Sequence, residues 1–211
     1  MSWLIVVDFD GTITERDTQD DLLERYAPEA YAEAERGLSE GRLTLRECME
    51  MEFAPVRGDH DTIVAETVAA AKVRPGFAEF VEAMEAAGNR LVVVSGGFES
   101  VIRPVLERAG AAHLPVIAHE FTITPDGTEL DFRADSDCDV CGEECKRGVV
   151  ESMRDGMPVA YIGDGYSDRC AAIAADRRFA RRFLAQDLDE LGLAYTPFDD
   201  FHTVREALLA G

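Results

Sequence analysis

A chain of 211 residues, 46% of them hydrophobic and 30% charged, is long enough for one ordinary core plus an insertion and too short for two large domains. Its net charge of -21 argues against nucleic acid or an anionic membrane as a partner. An anionic ligand must then be held locally, by a metal ion or by a few placed cations.

The first element is the stretch WLIVVDFDGTIT, residues 3–14, in which five apolar residues run into Asp8 and Asp10. An unbroken apolar run closed by Gly11 reads as the central strand of a parallel sheet covered on both faces. Ligands of open α/β sheets lie at the C-terminal ends of such strands. Side chains two apart on an extended chain share a side, so Asp8 and Asp10 address one crevice while Phe9 turns away. Two carboxylates crowded there repel unless a positive charge sits beside them. A bound cation is the expected partner.

From residue 14 to 73 the pattern is helical with no strand: DTQDDLLERYAPEAYAEAERGL, then LTLRECMEMEF, then HDTIVAETVAAAK. This segment is expected to be a small helical cap, with residues 1–13 and 74–211 forming the α/β core. After Pro75 and Gly76 come an amphipathic helix, FAEFVEAMEAAG, and a second buried strand, RLVVVSGGF. A helix near 98–109, a strand LPVIAHEF and a hairpin turned by Pro125-Asp126-Gly127 follow. The chain continues through CDVCGEEC, a helix CKRGVVESMRDG, a third buried strand PVAYIGDGYSD and a closing βα portion. The fold class is α/β, a doubly wound, mostly parallel Rossmann-like sheet with a helical lid.

Three strand ends carry DFDGT, SGG and GDGYSD, so Asp8, Asp10, Ser95, Asp164 and Asp168 are expected to converge. Hard oxygen ligands in that number suit Mg²⁺, which completes its shell with water and a substrate phosphate. Ser95 and the backbone N–H groups of Gly96 and Gly97 form a cradle for an oxyanion. Only Lys72 and Lys146 among the 21 basic residues are lysine, and Lys146 supplies a mobile cation for that anion.

These stretches, with the lysine of CKRGVV, resemble in order the four motifs of the haloacid dehalogenase superfamily, across essentially the whole chain. The resemblance implies that Asp8 attacks phosphorus to form an aspartyl phosphate and that Asp10 protonates the leaving oxygen and later deprotonates water. It implies Mg²⁺ held by the Asp8 carboxylate, the Asp10 backbone carbonyl and Asp164, with Asp168 orienting bound water or adding a ligand, and Thr12 supporting the loop. A second acid in the first motif is what a phosphatase or phosphomutase needs, whereas a dehalogenase has no alkoxide to protonate.

The insertion position is similar to that of the phosphoserine phosphatase-like subfamily. FARRFL and YTPFDDFHTVRE most resemble the methionine-salvage branch acting on 2-hydroxy-3-keto-5-methylthiopentenyl-1-phosphate, with phosphoethanolamine/phosphocholine and phosphoserine phosphatases as alternatives. Asp17 and Met51 are candidate substrate contacts, Met49 and Phe53 a pliable wall. Glu50, Met51 and Glu52 fall where phosphoserine phosphatases carry basic cap residues, which leaves Arg46 as the one substitute for a carboxylate partner. A different class, a non-hydrolytic phosphate-ligand or zinc-binding regulatory protein on the same fold, stays open at this point.

The crowding of Cys138, Cys141 and Cys145 does not read as a secreted disulfide framework. It is compatible with a structural zinc knuckle whose fourth ligand is His119, Asp137 or solvent, with reduced thiols that merely pack near the lid, or with a redox role. Cys48 and Cys170 are expected in the core, and His113 and His202 as ordinary structural histidines. No apolar run approaches the ~20 residues of a membrane span, and the first residues lack signal-peptide regions. The expectation is a cytoplasmic monomer or homodimer acting on a small-molecule phosphate ester, with no nucleic acid and no membrane.

Overall fold

The computed structural model describes residues 2–133, 136–141 and 144–210, without the side chains of 136, 137 and 144. β1 (Leu4–Val7) is wholly buried, as its unbroken apolar run requires. The turn at Phe9–Ile13 then delivers the chain to an insertion of four helices: α1 (Thr18–Tyr26), α2 (Pro28–Ser39), α3 (Leu45–Phe53) and α4 (His60–Ala70). Where one helical stretch was read over 17–38, the chain breaks at Ala27, because Pro28 disfavours a helical residue before it and opens α2 instead. Thr44 and Glu47 cap α3 reciprocally, and Asp59 caps α4. The insertion leaves and returns side by side, through an antiparallel bridge of Thr14 with Val73.

After it come α5 (Phe77–Ala86), β2 (Arg90–Phe98), α6 (Glu99–Arg108), β3 (Val116–Thr124) and β4 (Gly127–Asp131). A small hairpin, β5 (Ser136–Asp137) with β6 (Glu144–Cys145), precedes α7 (Arg147–Met153) and β7 (Val159–Gly163). The chain closes with α8 (Arg169–Ala174), β8 (Arg177–Ala180), α9 (Arg182–Glu190), β9 (Thr196–Pro197) and α10 (Phe201–Ala210).

The sheet order is β4-β3-β2-β1-β7-β8-β9, parallel except at β3 and β4. The order reverses direction at β1, between β2 and β7, and this switch point opens the crevice where such folds bind ligands. One face packs Ile5, Val7 and Phe9 with Phe80, Ile102 and Phe201 from α5, α6 and α10. The other packs Leu4 and Val6 with Val150, Ala171 and Leu188 from α7, α8 and α9, so the sheet is covered on both sides. A third cluster joins insertion to core, with the Phe53 ring 4.9 Å from Phe98 and Phe98 4.4 Å from Phe121. Burying a ring such as Phe53 stabilises the contact by ~1.5–3 kcal/mol, which seats the helices over the ends of β1 and β2.

Candidate active site

Asp8 and Asp10 flank buried Phe9 at the end of β1, and both carboxylates face one cleft of about 220 Å³. The backbone can turn there because Gly11 takes a φ of 69°, in the left-handed region, and because any side chain at Gly11 would collide with the Asp164 carboxylate. Arg74, buried beneath this turn, donates to the carbonyls of Gly11 (2.7 Å), Thr12 (2.7 Å) and Thr14 (2.9 Å). Thr12 donates from Oγ1 to Asp164 Oδ1 at 2.9 Å, which ties the first strand end to that of β7.

Lys146 is fully buried and stands between two carboxylates, Nζ lying 2.6 Å from Asp8 Oδ1 and 2.8 Å from Asp168 Oδ1. It is a cation fixed beside the nucleophile candidate by two carboxylates, where a mobile one was expected. Burial pulls its ammonium down, but the Asp168 and Asp8 charges outweigh that and hold it raised. Burial, reinforced by Asp168, pushes Asp8 well above the usual carboxylate range against the opposing pull of Lys146. Burial also raises Asp164 to about 6. Crowded acids of this kind call for a further positive charge at the cleft floor.

Asp168 Oδ1 accepts from Lys146 and, at 2.7 Å, from Tyr161 Oη; Oδ2 accepts from the amides of Asp164 and Gly165, each at 3.0 Å. Each oxygen thus accepts from two donors, and Asp168 fixes Lys146 and the loop after β7 beside the other two carboxylates. Oxygens of Asp8, Asp164 and Asp168 all lie within 4.8 Å of one another at the cleft floor, an all-oxygen donor set of the kind Mg²⁺ takes.

Asp10 is anchored by one oxygen only. Its Oδ1 accepts from the Thr18 amide at 2.9 Å and the Thr18 hydroxyl at 2.6 Å, while Oδ2 is buried without a partner. Burial, the largest influence, raises its affinity for a proton. The arrangement suits an acid with one oxygen held and the other presented. Ser95, Gly96 and Gly97 line the same cleft where β2 shifts register, and any side chain at Gly97 would strike Asp10 Oδ2. The Gly97 N–H donates to Ser95 Oγ at 2.9 Å and so orients the serine hydroxyl in the cleft.

The insertion supplies the opposite wall: Asp17, Gln19, Asp20, Glu35, Cys48, Glu52 and an apolar strip of Leu23, Leu38, Leu45 and Met49. Asp17 lies in the wall while its Oδ1 caps α1, accepting from Gln19 N at 2.8 Å. Met51 is corrected: on α3 the inward positions are Cys48, Met49, Glu52 and Phe53, and Met51 points outward, 37% exposed. Cys48, expected as plain core, is buried at the wall and donates to Glu52 Oε1 at 3.4 Å. Glu52 is raised to about 8 by burial. Arg46 stacks 4.0 Å over Phe132 and takes no part in the cleft lining, whose cation among the described residues is Arg182, 3.4 Å from Asp164. Arg182, Thr18, Arg74 and Tyr161 went unread in the sequence. The FARRFL stretch was the available signal for Arg182.

Cys138, Cys141 and Cys145 come together, and their fourth neighbour is Cys170 from α8, buried as expected and packed against them. The backbone N–H groups of Cys141 and Val140 bring the Cys138 thiol down to about 7, whereas burial lifts Cys170 to about 11. His119 is buried elsewhere, its Nδ1 accepting from Arg133 N at 2.9 Å, and the Asp137 side chain lies outside the described residues. His113 is paired with Glu85 at 2.8 Å, and exposed Lys72 lines no part of the cleft.

Comparison with known proteins gives these arrangements a context. The family model of the haloacid dehalogenase-like hydrolases matches residues 5–172. A 2-hydroxy-3-keto-5-methylthiopentenyl-1-phosphate phosphatase of Bacillus velezensis is 29% identical over 97% of this chain and 89% of its own length. A phosphatase of the same name from Bacillus cereus is 30% identical over 99% of this chain and 96% of its own. The bifunctional enzyme MtnB/MtnX of Bacillus licheniformis is 32% identical, and the chain spans about half of it, 49%. A substrate-bound phosphoserine phosphatase structure superposes with a TM-score of 0.76 over 98% of both chains at 17% identity, which establishes a shared fold.

Proposed function

The chain belongs to the haloacid dehalogenase-like hydrolase family and is a phosphatase, and on that premise we propose that it is a Mg²⁺-dependent phosphomonoesterase working through an aspartyl phosphate on Asp8. The observation that carries this reading is the pairing of an Asp8 held by Lys146 with a neighbouring Asp10 whose Oδ2 is buried without a partner. Lys146 fixes Asp8 Oδ1, so Oδ2 attacks phosphorus as the bond to the leaving oxygen breaks. Asp10 gives the proton on its Oδ2 to that oxygen, and the alcohol departs. Water then attacks the aspartyl phosphate at phosphorus, Asp10 takes its proton, and inorganic phosphate leaves with the Asp8 carboxylate restored. Asp8, Asp164 and the Asp10 backbone carbonyl would hold Mg²⁺, which when bound neutralises the crowded acids and the phosphate oxygens. Residues 14–73 act as the cap that closes over this chemistry, in a cytoplasmic monomer or homodimer.

The proposed substrate is 2-hydroxy-3-keto-5-methylthiopentenyl-1-phosphate or a related small ester. The names of the relatives support it, as does the apolar strip of Leu23, Leu38, Leu45 and Met49, with exposed Phe183 at the mouth, a surface suited to a thioether end. A second reading is favoured by Asp17, Asp20, Glu35 and Glu52 in the same wall: an ester with a cationic distal end, such as phosphoethanolamine or phosphocholine. Phosphoserine fits neither, since its carboxylate would meet acids where a charge-assisted bond of ~1.5–3 kcal/mol is needed, a handicap of roughly tenfold to hundredfold.

Phosphate release with Mg²⁺ from the methylthio ester, phosphoethanolamine, phosphocholine and phosphoserine tests this. The expected order puts the methylthio ester first and phosphoserine last, with chelator abolishing all turnover. A lead for the amines selects the second reading. No release from any ester, or indifference to chelator, overturns the phosphomonoesterase.

A further inference from the structure

We propose that Cys138, Cys141, Cys145 and Cys170 bind one Zn²⁺ in a closed four-thiolate site that fastens the Lys146 turn to the start of α8. The four Sγ atoms all lie within 4.8 Å of one another, drawn from the β5–β6 hairpin region and, 25 residues further on, from α8. Tetrahedral zinc with bonds of ~2.3 Å sets sulfurs ~3.8 Å apart, so each moves inward by ~0.6 Å at most. A sulfide-bridged iron cluster would space its thiolates more widely, and a disulfide would account for two sulfurs and leave two.

The local geometry is prepared for such an ion. In the Cys138-Asp139-Val140-Cys141 turn the N–H groups of Cys141 and Val140 are directed at the Cys138 sulfur, where they offset thiolate charge. Cys138, Cys145 and Cys170 are buried and Cys141 is exposed, which gives an enclosed site with one side open for metal entry. Soft thiolates select zinc, whereas the all-oxygen cleft suits Mg²⁺, so the two ions do not compete. The β5–β6 pairing, Ser136 with Cys145 and Asp137 with Glu144, returns the chain to the point where the knuckle closes.

The position matters more than the ion's chemistry. Cys145 directly precedes Lys146, and Cys170 follows Asp168 by two residues. Both ends of the 2.8 Å Lys146–Asp168 pair are thus next to a zinc ligand. A structural zinc here closes a short ring around that ion pair and adds its binding free energy to folding.

Metal analysis of protein purified without chelators or immobilised metals tests the site without reference to turnover, so it stands or falls separately from the phosphatase reading. The expected result is near one zinc per chain, replaced by Co²⁺ with the charge-transfer and d–d bands of a tetrahedral thiolate. Cys141→Ser and Cys170→Ser should each weaken zinc binding by more than about tenfold, and Cys48→Ser should leave zinc content unchanged. Stripping zinc from the wild-type protein should lower its melting temperature and speed amide exchange around Lys146, both restored by zinc. Metal-free protein with chelator-insensitive melting, a cobalt spectrum lacking thiolate bands, or full zinc affinity in Cys170→Ser overturns the assignment.

Discussion

Thr18 donates twice to one oxygen of Asp10, from its amide at 2.9 Å and its hydroxyl at 2.6 Å. The first residue of α1 in the insertion therefore orients the proposed proton donor of the core, and the other Asp10 oxygen is left without a hydrogen-bond partner. Thr18→Val keeps the amide bond and removes the hydroxyl bond, so Asp10 becomes easier to rotate away. Expected is a kcat lower by about tenfold, from ~1.4 kcal/mol of lost orientation, on alkyl esters with poor leaving groups. Aryl phosphates, which need little protonation, should lose less. The comparison of kcat on the two ester types, with KM recorded for each, checks it.

Arg74 binds the carbonyls of Gly11, Thr12 and Thr14 in the turn after Asp10, Asp199 O at 3.1 Å and, at 3.5 Å, Glu15 O. Arg74→Met leaves these acceptors buried and unsatisfied at ~1–3 kcal/mol each, reduced by relaxation. A net loss of ~3 kcal/mol lowers the melting temperature by roughly 6–12 °C in a chain of this size. Calorimetry of Arg74→Met beside Arg74→Lys, which restores part of the bonding, measures it.

Glu52 is raised from 4.5 to about 8 by burial in the cleft wall. As pH rises from 4.5 towards 8 the unfolded chain releases this proton while the folded chain keeps it, so stability falls through that window. Below 4.5 the penalty is absent, and above about 8 it is constant. Glu52→Gln removes the titration. Its stability relative to wild type should therefore improve from pH 5 to pH 8, on the order of 2 kcal/mol. Denaturant melts of both proteins at the two pH values read the difference.

Strand ends were legible because they break a rule: Asp8, Asp10 and Asp164 put charge where an apolar run demands none, and glycines beside them mark close backbone approach. The doubly wound sheet followed from the alternation of apolar strands with amphipathic helices. Much of what escaped depends on contact across long sequence separation. Cys170 joins residues 25 or more positions away, and Arg74 reaches a turn some 60 residues earlier. Lys146 was found as a residue, but its fixed place between two buried acids depends on how β1 and α8 are brought together. Met51 was a failure of local reading, since the helical period already placed Met49, Glu52 and Phe53 on one face and Met51 off it.

The central claim is a covalent phosphate on Asp8, and borohydride trapping addresses it most directly. An acyl phosphate formed during turnover is reduced at its carbonyl carbon, which converts that aspartate to homoserine, while free carboxylates are untouched. Protein quenched with borohydride during Mg²⁺-dependent turnover and mapped by mass spectrometry should carry homoserine at position 8, and none without substrate or in Asp8→Asn. Trapping at any other aspartate, or none at Asp8 during sustained turnover with a phosphoenzyme demonstrably present, contradicts the assignment.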